Sequence, residues 1–285
     1  VKGALIIASF ALQESVRRRV FIVVALLTVA FLGLYGLGTW QISGNADEIG
    51  QTTSEGVDGR VLFGGTLLGL SMFATLFLGA VLAVFLTLNA VRGDAERGLL
   101  QPLLVRPISR GTFLAGRFIA AGSVCAAYVI VVFLASAVIT DVFIGWWPDR
   151  VVVPALELGV AVAIIAALAL AGSVVLSSTA NGIAIFMLFG AGLTAGLLGQ
   201  IAEALSSDTL ADVSKAASWV LPFEALYQSA LSQITADTFG FTRFAIDLGP
   251  FGGAQAFGAG LWPYVIVYTA LVGALALAAF RRRDL

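Results

Sequence analysis

Residues 158–202 read LGVAVAIIAALALAGSVVLSSTANGIAIFMLFGAGLTAGLLGQIA, an uncharged run bounded by Glu157 and Glu203. A hydrocarbon core about 30 Å thick is crossed by about 20 helical residues, so the run is too long for one crossing and suits two. Its middle, Ser177-Ser178-Thr179-Ala180-Asn181-Gly182, is polar and carries Gly after Asn, a helix-stop signal. The stretch therefore reads as two spans joined by a tight turn over 177–182. That division sets how many times the whole chain crosses a membrane.

Working outward, four more apolar stretches have crossing length, and spans are expected at about 20–41, 61–91, 113–140, 154–176, 183–204 and 261–280. The second is long enough to tilt or project. Composition agrees, with 59% hydrophobic and only 12% charged residues, about half the charge of a soluble domain. The basic and apolar opening is too long for a signal-peptide core, so it reads as a retained segment. The expected architecture is an all-α integral membrane protein with six transmembrane helices.

Charge orients it. Twelve of the 16 Lys and Arg residues fall in four clusters: Lys2 with Arg17–Arg19, Arg92 with Arg97, Arg106 with Arg110 and Arg117, and Arg281–Arg283. Six spans put all four on one side, which the positive-inside rule makes the cytoplasm. Both termini are then cytoplasmic, in a multi-pass protein of the cell membrane. Merging the fourth and fifth spans would strand Arg281–Arg283 outside. Thirteen of the 17 acids, among them Asp47, Glu48, Asp141, Asp149, Asp208 and Asp212, fall on the opposite side or its boundary.

Three parts are neither span nor linker. Residues 2–19 carry Leu5, Ile6, Ser9, Leu12, Gln13 and Val16 at helical spacing and end in arginines, as an amphipathic helix on the inner membrane surface does; a plain charged anchor fits equally. The inner loop 92–111 mixes both charge signs with Leu99, Leu100, Leu103 and Leu104, a composition suited to docking another protein or to dipping into the interface. Ser109 or Thr112 can cap the helix that follows. Outside, 206–260 is a helical segment in which Leu210, Val213, Ala217 and Val220 share a face and Pro222 starts a second short helix. The first outer loop, 42–59, reads as an acidic surface loop. Gly65 with Gly69 and Gly192 with Gly196 have the spacing of close helix packing.

Several chemistries are missing. No Asp, Glu, Lys, Arg or His falls near the middle of a predicted span, where proton- and voltage-driven machines keep such residues. There is no histidine, one cysteine (Cys125) and two methionines, which leaves little for metal binding or an intramembrane nucleophile–base pair. No Gly-rich loop ends in Lys-Ser or Lys-Thr, so ATP, if used, is bound by another chain. Net charge of −1 gives no footprint for nucleic acid.

The chain resembles the permease subunits of type-2 ABC exporters. The likeness rests on Glu14-Ser15-Val16-Arg17-Arg18-Arg19-Val20-Phe21, on Glu96-Arg97-Gly98-Leu99-Leu100 with Leu103-Leu104-Val105-Arg106-Pro107-Ile108-Ser109-Arg110, on Leu221-Pro222, and on the ending Phe280-Arg281-Arg282-Arg283-Asp284-Leu285. It implies a cytoplasmic coupling helix between spans two and three that contacts an ATPase subunit through Arg92, Asp94, Glu96, Arg97, Leu99, Leu100, Leu103, Leu104 and Arg106. The cofactors, ATP and Mg, belong to that partner, present in two copies; this chain would hold none and would not itself be an enzyme. A second permease, the same chain or a related one, completes the pathway in the lipid. By the same resemblance spans two and five line that pathway, with Phe73, Phe77, Phe85, Phe186, Phe189 and Thr194 facing a lipophilic or amphipathic cargo. The short outer helices resemble the family's re-entrant pair, which makes Pro222, Phe223 and Tyr227 an outer gate. Two alternatives carry other expectations: a maturation permease of the copper-enzyme assembly type moving a sulfur species, and a non-transporting immunity or scaffold complex.

Overall fold

The computed structural model describes residues 19–52, 59–88, 109–237, 257–258 and 260–282. The inner-surface stretch 2–18 and the inner loop from Arg92 to Arg106 lie outside them. Eight α-helices occupy the described residues: α1 Arg19–Thr52, α2 Gly59–Thr87, α3 Arg110–Ile144, α4 Val152–Val175, α5 Ser178–Leu205, α6 Asp208–Val220, α7 Pro222–Ile234 and α8 Leu261–Arg281. Six of them, all but α6 and α7, are long and apolar enough to cross a membrane. No strand occurs among the described residues. In lipid this is the expected solution, because a helix satisfies its own backbone.

The bundle is built around α2 and α4. In each, 67% of the apolar window is buried, against 11% in α1, 28% in α5 and 17% in α8. Close approach at the centre depends on Gly79, where a methyl would overlap Val129 of α3 and Val162 of α4. Removing the side chain lets three helices meet, the main source of attraction where lipid is as apolar as protein. The hydroxyls of α1 and α3 add hydrogen bonds: Tyr35 to Thr140 and Thr28 to Tyr128, each 2.6 Å. Thr140 donates to the Ser136 carbonyl and Thr28 to that of Val24. A threonine has one proton, so both tyrosines are the donors.

Helix ends follow local chemistry. Ser109 caps α3, its Oγ accepting from the Thr112 N–H at 3.1 Å. Gly145 closes α3 in the left-handed region at φ 72°, its N–H on the Asp141 carbonyl. The division inside 158–202 is there, but the turn is shorter than expected. α4 ends at Val175 and α5 begins at Ser178, leaving Leu176 and Ser177 between them. Asn181 does not make the turn; it sits in the first turn of α5 and donates its amide to the Ala169 carbonyl at 2.8 Å. Gly172 leaves room for it, since a methyl there would collide with the Asn181 side chain. The first outer loop is also shorter than expected, because α1 stays helical to Thr52. Nothing in Ser43–Thr52 is a proline, and one glycine pair does not stop a helix already 24 residues long.

The ends of the bundle differ in charge. Arg110, Arg117, Arg281 and Arg282 gather at one end, called the arginine end below; Asp141, Asp149, Asp208, Asp212 and Asp237 belong to the other.

Candidate functional site: a re-entrant hairpin over an aromatic row

α6 and α7 form a hairpin that enters the bundle from the acidic end. α6 runs back along α5, with the Ser207 N–H on the Ala202 carbonyl and Ser214 Oγ donating to the Ala195 carbonyl at 2.8 Å. The face it turns to the protein is Ser214 with Leu210, Ala217 and Ser218, whereas Val213 and Val220 point outward. The four residues expected to share a face are thus divided, Leu210 and Ala217 toward the protein and Val213 and Val220 away from it, because a serine hydroxyl that finds a carbonyl is better buried than a valine that finds lipid.

The chain reverses at Leu221, and Pro222 occupies the first turn of α7, where its missing N–H costs nothing. Phe223 lies against Gly192 of α5, and Glu224 and Gln228 lie against Gly196. Gly192 is seven residues below Gly199, where the apolar part of α5 ends, so the tip of the hairpin reaches about 10 Å into the apolar layer. Twelve of the 13 residues of α7 are buried. Its most extensive packing is along α4, and Leu231 fits over Gly69 of α2. Three of the glycines singled out by spacing, Gly69, Gly192 and Gly196, thus admit α7, a helix of the same chain.

A backbone reversal inside lipid needs its carbonyls satisfied. α8 does this with two phenols one turn apart: Tyr264 donates to the Trp219 carbonyl and Tyr268 to that of Val220, the latter at 3.0 Å. These are two of the last carbonyls of α6, which no intrahelical N–H can reach. At the surface, α7 is tied to the turn after α3. The Asp149 N–H bonds the Ile234 carbonyl, Asp149 Oδ2 accepts from the Asp237 N–H, and Arg150 donates to Gln233.

The hairpin also carries a carboxyl into the interior. Glu224 accepts from Gln228 at 2.9 Å, and Glu157 of α4 accepts from Ser229 at 2.7 Å. The second oxygen of each carboxyl, together with Tyr227 Oη and Gln228 Oε1, has no protein hydrogen-bond partner. Half-satisfied polar groups are costly to bury, so packing holds this arrangement closed more than polar pairing does.

Aromatic rings continue below the tip. Phe223 stacks on Phe189 at 6.0 Å and 9°, and Phe77 of α2 lies 5.8 Å from Phe189 and 6.3 Å from Phe186. Of the residues expected along a path, Phe77, Phe186 and Phe189 are brought together, joined by Phe223 from the expected gate. Phe73 packs on the core, Phe85 faces outward two turns nearer the arginine end, and Thr194 is exposed with its hydroxyl on the Gly190 carbonyl. Pro222, Phe223 and Tyr227 are all buried in α7. Glu157, Ser229, Tyr264 and Tyr268 were not anticipated. A glutamate bordering an apolar run and two tyrosines four apart at the start of a span were the available signals.

The family model described as ABC-2 family transporter protein matches residues 5–285. Comparison with curated proteins gives no match. With six membrane helices and a match along nearly its whole length, the chain belongs to the ABC-2 transporter family as a multi-pass membrane permease subunit.

Proposed function

We propose that two such permeases, paired through the outward face of α2 and α5, export a lipophilic or amphipathic substrate, driven by two ATPase subunits that bind ATP and Mg at the arginine end. The observation that carries this reading is the aromatic row Phe77–Phe186–Phe189 ending under Phe223 at the hairpin tip. A row of rings beneath a re-entrant plug offers an apolar cargo a path to a closed outer gate. Pairing is supported by an outward apolar face on α5, with Ile183, Met187, Leu197 and Ile201 exposed around the small residues Gly190 and Ala191, the composition at which membrane helices associate. The positive-inside rule supports a cytoplasmic arginine end, hence cytoplasmic termini in the cell membrane. ATPase docking would then fall to the loop from Arg92 to Arg106.

The test is reconstitution with the cognate ATPase in vesicles, following ATP-dependent movement of a fluorescent amphiphile. Phe77→Ala and Phe189→Ala are expected to lower transport at least about tenfold, with the complex intact; a tenfold change corresponds to about 1.4 kcal/mol of lost binding. Unchanged transport in both variants rejects the path, and pull-down of the permease without any ATPase rejects the drive.

A further inference from the structure

An apolar cavity of about 530 Å³ lies between α4 and α8, against the first turns of α3. On α4 it extends from Val160 to Ala171, on α8 from Val265 to Leu277, and on α3 it is lined by Gly111 and Phe118. None of these residues belongs to the aromatic row or the hairpin. Thr269 brings the one polar side chain of the lining, and its hydroxyl is already committed to the Val265 carbonyl at 2.8 Å. The walls therefore offer an occupant nothing but apolar contact. At 1.5 Å per residue the α8 wall is about 18 Å long, slightly more than one leaflet of a hydrocarbon core about 30 Å thick.

The arginine end is different. Leu277 stands where a methyl on Gly111 would touch it, and one turn further on, on the same face of α8, stands Arg281. Arg282 follows, and both are exposed. Arg110, next to Gly111, donates to the Phe280 carbonyl at 2.7 Å and lies over the Phe280 ring; Arg117, next to Phe118, lies over the Phe113 ring. Among the described residues, no Asp or Glu belongs to this end of the bundle. An apolar slot one leaflet deep, with Arg281 one turn beyond its last α8 residue and three more guanidinium groups at the same end of the bundle, matches a molecule with a hydrocarbon tail and an anionic head. Guanidinium is the side chain that best binds phosphate oxygens, and basic sites between membrane helices hold anionic headgroups.

We propose that this groove binds an anionic phospholipid, one acyl chain between α4 and α8 and its phosphate at Arg281, Arg282 and Arg117. The lipid is a resident of the permease rather than its cargo, since the groove is separate from the aromatic row. It fills the space beside α8, the helix whose other end holds the hairpin tip through Tyr264 and Tyr268.

Native mass spectrometry of the purified full-length permease, titrated with phosphatidylglycerol or phosphatidylcholine of equal chain length, tests this directly. The wild type should retain phosphatidylglycerol about tenfold more strongly. The double change Arg281→Ala with Arg282→Ala should abolish that preference while leaving the weaker phosphatidylcholine binding. Gly273→Leu should lose both lipids, because Gly273 lines the groove and a side chain there meets open space; an unchanged melting temperature separates this from misfolding. Equal retention of the two lipids by wild type overturns the proposal. So does full retention by Gly273→Leu, displacement of phosphatidylglycerol by inorganic phosphate alone, or a Gly273→Leu variant that instead loses a second copy of the chain.

Discussion

Tyr268 of α8 donates its hydroxyl proton to the main-chain carbonyl of Val220 at 3.0 Å, joining the last span to the deepest point of the re-entrant hairpin. With Tyr264 on Trp219, it satisfies backbone groups that lipid cannot.

Replacing these phenols should loosen the plug without emptying the core. Tyr264→Phe with Tyr268→Phe keeps the rings and leaves two carbonyls unpaired, at a cost of about 1–3 kcal/mol each. The expected outcome is a raised passive leak of small dyes from vesicles containing the variant, and faster thiol labelling at Leu221→Cys. A leak equal to that of the wild type would show that α8 does not hold the tip.

Gly196 tests the fit of α7 against α5. A methyl there overlaps Glu224 Oε1 and approaches Gln228 Nε2, so Gly196→Ala must push the hairpin outward. Overpacking of this kind costs about 1–3 kcal/mol. Gly190→Ala, six residues earlier on the same helix, meets open space and should leave the melting temperature unchanged. Comparable melting of the two variants would contradict the packing described.

Glu157 and Ser229 should be coupled. A double-mutant cycle on Glu157→Gln and Ser229→Ala is expected to give about 1 kcal/mol, within the range of hydrogen bonds between membrane helices. Additive effects in the unfolding of the solubilised protein would mean that α4 and α7 are held by shape alone.

Asn181→Ala should separate the start of α5 from α4. The variant loses the amide bond to Ala169 and opens a void against Gly172; about 1 kcal/mol of hydrogen bond plus lost packing should lower the melting temperature. Asn181→Leu should be worse, because the slot beside Gly172 fits a flat amide. A stable leucine variant would show that the slot adapts.

The spans were legible because a membrane imposes one requirement, about 20 apolar residues per crossing, and the chain meets it six times. The turn between α4 and α5 was legible in place but not in form. Asn181-Gly182 spells a helix stop locally, yet Asn181 finds its partner on another helix, at Ala169, which no local rule contains. The hairpin was half legible. Leu221-Pro222 marked the reversal, but the depth of the tip depends on Gly192 and Gly196 admitting Phe223 and Glu224. Spacing alone could as well have assigned those glycines to a partner subunit. Tyr264 and Tyr268 look like ordinary interfacial aromatics until the two carbonyls they serve are known.

The two ends of α7 are secured differently. Its surface end is clamped by Asp149 and Arg150 to the corner between α3 and α4, while its deep end is restrained through α6 by hydroxyls on α8. A rod fixed at one end and tethered at the other swings about the fixed point. A slide of α8 by a single helical step would therefore pull first on the tip at Leu221, and any displacement of α7 would have to part it from α4 and from Gly69 of α2, against which it is buried.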